Sequence, residues 1–66
     1  MEIQIITEAT EYATMYNSNI EKVSFYIHDK CVVISGLDKN EEVVNDTQVE
    51  ISKEEFLKIA KLLSNN

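Results

Sequence analysis

The chain has 66 residues, with twelve Asp and Glu against six basic residues, one Cys, one His, one Gly and no Pro or Trp. At this length only about 60% of the surface of the unfolded chain is buried on folding, which leaves one small domain and little room for a walled substrate cleft. The basic residues are all lysine and the net charge is −6. Without the planar guanidinium fork, and with a charge that repels phosphate, direct nucleic-acid binding and binding to anionic membranes are both disfavoured.

Glu2 to Thr7 alternates and reads as a first strand. Glu8 to Asn19 fits two readings: Ala9, Tyr12, Ala13 and Tyr16 make a helical stripe, while Thr10, Tyr12, Thr14 and Tyr16 alternate as in a strand. The Thr and Tyr content favours a strand over 10–16, with Asn17-Ser18-Asn19 as the following turn. Strands over 22–28 and 31–37 are rich in β-branched and aromatic residues, and Asp29-Lys30 between them is short enough for a hairpin. Gly36, near a strand end, marks a bulge or a close approach. After a polar turn at Asp38-Lys39-Asn40, residues 41–51 read as one long strand, or two short ones broken near Asn45-Asp46.

The last element carries the clearest signal. Ser52 and Glu55 are spaced as a capping box, Ile51 and Phe56 as a hydrophobic staple, and a helix over 53–63 follows. Its stripe is Phe56, Ile59, Ala60 and Leu63, with Glu54 and Lys58 spaced as an ion pair on the wet side. The fold class expected is α+β: a small antiparallel sheet of four or five strands with one C-terminal helix packed on one face.

In Cys31-Val32-Val33-Ile34 both pleat faces are apolar, yet one helix covers only one face. The second face needs the Tyr12 to Tyr16 segment or a second copy of the chain, so a homodimer is expected, with Tyr12, Tyr16 and Tyr26 as interface aromatics.

His28 and Cys31 bracket the hairpin turn, but one chain has no further Cys or His to complete a zinc set. No catalytic residue, metal site or cofactor is assigned; a composite enzyme or metal site would require a dimer interface. Glu54 and Glu55 suit the positive end of a helix rather than acid–base work. The single Cys, the absence of a leader-like N-terminal pattern and the lack of a long apolar run point to a cytoplasmic protein.

Charge is distributed unevenly. Met1 to Ile51 holds ten acids against three lysines, net −7, whereas Ser52 to Asn66 holds two glutamates against three lysines, net +1. Asp38, Glu41, Glu42, Asp46 and Glu50 form the densest acidic run. On one continuous strand Glu42, Asp46 and Glu50 would share a face at intervals of about 13 Å. Such a stripe can dock in a basic groove of another protein, or can serve only solubility and edge protection. In size and charge the chain resembles the small acidic accessory proteins of bacteria, phages and mobile elements, some of which inhibit a host enzyme by imitating nucleic acid. The function expected is non-catalytic binding to another protein, such as a basic nucleic-acid-processing one. The alternative is a self-associating structural domain without a discrete site.

Overall fold

The computed structural model describes residues 2–65. Strands β1 (Ile3–Glu8), β2 (Lys22–Ile27), β3 (Cys31–Leu37) and β4 (Val49–Ser52) form one antiparallel sheet in sequence order, with α1 (Glu11–Tyr16) between β1 and β2 and α2 (Lys53–Ser64) at the end. The α+β class and the C-terminal helix are as expected, and the sheet has four strands.

The hairpin turn is Asp29-Lys30: the His28 N–H donates to the Cys31 carbonyl at 2.9 Å, and Ile27 faces Val32 across the ladder. The strand expected over 10–16 is absent, and the two readings of 41–51 are decided. Residues 11–16 are a helix, because the Thr10 hydroxyl caps it by accepting from the Ala13 N–H at 3.4 Å and Glu11 occupies the first turn. Residues 41–51 are not one long strand but are interrupted near Asn45-Asp46, the other of the two readings, with a bridge at Val43 before the break and β4 after it. Glu41 and Asp46 both have φ 63°, left-handed backbone that cannot continue a ladder. Upstream, one Asp38 carboxylate oxygen accepts from the Asn40 and Glu42 N–H groups at 2.8 and 3.0 Å, winding the chain into a turn. Only Val49–Ser52 pairs regularly with β3, apart from a single bridge between Val43 and Leu37.

The register sorts side chains by face, because directly opposed residues point the same way. One face carries Ile3 and Ile5 from β1, Val23, Phe25 and Ile27 from β2, Val32 and Ile34 from β3, and Val49 and Ile51 from β4. The other carries Gln4, Ile6 and Glu8, Lys22, Ser24 and Tyr26, Cys31, Val33, Ser35 and Leu37, and Glu50 and Ser52. The centre of the apolar face is dry: Val32 is 0% exposed. Across β2, Phe25 meets Phe56 of α2 with ring centroids 6.2 Å apart at 54°.

Helix α2 starts as expected, with the Ser52 hydroxyl accepting from the Glu55 N–H at 3.1 Å. Lys58 pairs with Glu55 at 3.3 Å, however, and not with Glu54. The helix also covers less sheet than its stripe promised. Phe56 is half-buried on the sheet, but Ile59 and Leu63 are 51% and 69% exposed.

Candidate functional site

The charged strand residues all lie on one face, among apolar ones such as Ile6, Val33 and Leu37. No strand residue on the apolar face is acidic, whereas Glu8 and Glu50 project from the other, and Glu2 joins them by placing its carboxylate 3.3 Å from the Nδ1 of His28. The Tyr26 and His28 rings stack with centroids 4.6 Å apart. The charge of Glu2 raises the Tyr26 phenol above its ordinary value, helped by a hydrogen bond to Glu2 and by burial.

The first half of the β3–β4 loop folds over this acidic face. Lys22 Nζ donates to Glu41 at 2.9 Å, and that hydrogen bond, with the charge of Glu41 second, raises the lysine above its ordinary value. Glu41, Val43 and Gln48 line a hollow of about 290 Å³ floored by Ser24, Val33 and Ser35. Ser24 and Ser35 are buried and opposed in register, and Gln4 Nε2 donates to the Ser24 hydroxyl at 3.0 Å. The loop thus covers the part of the second face around Ser24, Ser35 and Leu37, which are buried, and leaves the β1 edge with Ile6 and Glu8 exposed.

The five acids singled out in the sequence do not make one stripe. Asp38 is engaged in its own turn, Glu41 is paired with Lys22, and Glu42 is exposed in the loop. Glu50 lies opposite Val33 on the acidic face, but Asp46 lies across the sheet edge, at a groove on the apolar side. In exchange, β1 brings Glu2 and Glu8 to the face that Glu50 occupies. Acid at both ends of an alternating β1 signals this, but only the pairing register shows which face it joins.

The groove on the apolar face has a volume of about 340 Å³. Val23, Ile34 and Val49 form its floor, and Ala13 and Tyr16 of α1 with Ile20 form its wall. Tyr12 and Tyr16 are exposed on α1 while Tyr26 is half-buried on the acidic face, so the three tyrosines do not form one patch. His28 and Cys31 remain at the hairpin end, Cys31 opposite Ser52. Among the described residues no three His, Cys, Asp or Glu side chains converge as a metal set, and no helix is long and apolar enough to cross a membrane.

Comparison of the chain with protein-family models, with curated proteins and with solved structures finds no match.

Proposed function

We propose that the chain is a non-catalytic protein-binding module that presents the acidic sheet face, together with the Asp38 to Glu42 turn, to a basic groove of a nucleic-acid-processing protein. The observation that carries this reading is the segregation of charge: Glu2, Glu8 and Glu50 share one face of a four-stranded sheet whose opposite face has no charged strand residue. These carboxylates, with Lys22 opposite Glu8 as the single cation among the strand residues of that face, give long-range attraction to a basic partner and select against acidic ones. The hollow on this face is open to water, which suits surface contact better than chemistry in a desolvated pocket. In this reading the protein acts in a reducing, cytoplasmic compartment, consistent with a single half-buried Cys31. The inhibitor-like role found among small acidic accessory proteins of phages and mobile elements fits the same surface.

The test is affinity capture on the full chain from a lysate of its source cells, at low and at high salt, followed by elution with duplex nucleic acid. The reading predicts a basic nucleic-acid-binding protein, held at low salt, released at high salt and displaced by the duplex. Capture of nothing at low salt, or of a protein that nucleic acid does not displace, contradicts it.

A further inference from the structure

We propose that a second copy of the chain covers the apolar sheet face, each protomer laying the outer half of its α2 stripe, Ile59 and Leu63, into the other's groove. Area, shape and charge each lead there.

The chain exposes 5318 Å². A folded monomer of 7.6 kDa exposes about 4,300 Å², so the surplus is about 1,000 Å² per chain. A stable interface takes about 800 Å² from each partner. The surplus is therefore of the size that one interface consumes, and the apolar face and the α2 stripe contribute exposed large hydrophobic residues to it, among them Ile3, Ile5, Val49, Ile59 and Leu63.

The shape is reciprocal. The groove floored by Val23, Ile34 and Val49 is lined by no α2 residue, and the α2 stripe beyond Phe56 is exposed. One chain thus carries both an empty apolar groove and an unused apolar helix stripe. A two-fold axis satisfies both at once, because stripe meets groove and groove meets stripe. An unrelated partner would have to supply a matching apolar element that the second copy already has.

Charge favours the same arrangement. Two chains of net −6 repel, but the segment from Ser52 to Asn66 is net +1, and α2 carries Lys58 and Lys61 beside the stripe. Asp46, the acid at the groove, then meets the Lys61 end of the incoming helix, Lys58 being paired with Glu55 of its own helix. Both acidic faces stay outward, so the dimer displays two copies of the surface described above.

Sedimentation equilibrium of the full chain at tens of micromolar is expected to give twice the 7.6 kDa chain mass. The double variant Ile59→Lys/Leu63→Lys alters exposed side chains, so it is expected to keep its circular dichroism and to dissociate at least tenfold more readily. A Cys31→Ser background supplies a measurement that does not depend on that variant folding. Leu63→Cys chains mixed with Val49→Cys chains are expected to form a mixed disulfide dimer. A wild-type mass of 7.6 kDa, a folded lysine variant that remains as dimeric as wild type, or no mixed disulfide overturns the proposal. The inference rests on the apolar face alone; failed capture by an intact dimer would refute only the reading of the acidic face.

Discussion

Thr47 substitutes for a strand residue beside Gly36. Its hydroxyl accepts from the buried Gly36 N–H at 3.1 Å and donates to the Val44 carbonyl at 2.6 Å, while the Val44 N–H donates to the Gly36 carbonyl at 2.9 Å. These contacts satisfy the end of β3 where β4 no longer pairs with it, and they pin the β3–β4 loop to the sheet. Thr47→Val keeps the shape and leaves a buried donor without an acceptor, so it is expected to cost about 1–3 kcal/mol in urea unfolding, with Thr47→Ser close to wild type.

Gly36 is there for space. A Cβ at this position would lie 2.9 Å from Cγ1 of the buried Ile20 and 3.1 Å from the Thr47 hydroxyl. Gly36→Ala is expected to destabilise by about 1–3 kcal/mol through overpacking, and Ile20→Ala in the same chain should relieve part of the clash. A double-mutant cycle between the two positions is the measurement; strictly additive losses would show that the contact does not matter.

Phe25 and Phe56 join α2 to the sheet. Replacing either by Leu keeps most of the apolar area and removes the ring pair. The coupling energy between the two substitutions is expected to be about 0.5–1.5 kcal/mol. The Ser52 cap supports the same end of the helix, and Ser52→Ala is expected to cost about 1 kcal/mol.

Two groups make stability fall on the alkaline side. Glu41 raises Lys22, and Glu2 raises Tyr26, so both hold their protons more tightly in the folded chain than in the unfolded one. Such contributions are complete below the unfolded values, 10.5 for Lys and 10.0 for Tyr, and are lost as pH rises through the folded ones. Melting temperature at low salt is expected to decline above about pH 10, and less steeply in Glu41→Gln and Glu2→Gln. Equal slopes in wild type and variants would contradict the assignment.

Much of this fold is legible in the sequence where a local signal and a tertiary partner agree. The β2–β3 hairpin needs only its β-branched runs and the Asp29-Lys30 turn, and α2 is announced by Ser52 and Glu55. Where two periodicities coexist, as in Tyr12 to Tyr16, the decision fell to a cap: the Thr10 hydroxyl, readable as an N-cap, outweighed the strand propensity of Thr and Tyr. The β3–β4 loop was legible in part, through the polar turn at Asp38. The break near Asn45-Asp46 was one of two readings of the sequence, and Asp46 has left-handed backbone there; the left-handed turn at Glu41 and the reduction of Val43 to a single bridge had no Gly to announce them. The acidic surface was partly legible. Glu50 lies where alternation put it, Asp46 is turned to the other side of the sheet, and the contribution of Glu2 depends on β1 pairing with β2, a long-range choice.

The functional reading is tested most directly by titrating the captured partner with two charge variants of equal net charge. Glu2→Lys/Glu50→Lys reverses the acidic face, and Glu11→Lys/Glu54→Lys makes the same change on the two helices. The reading predicts that the first pair weakens binding at low salt by at least about tenfold, roughly 1.4 kcal/mol, while the second leaves it within about threefold of wild type. Equal losses from the two pairs, or none from the first, would contradict it.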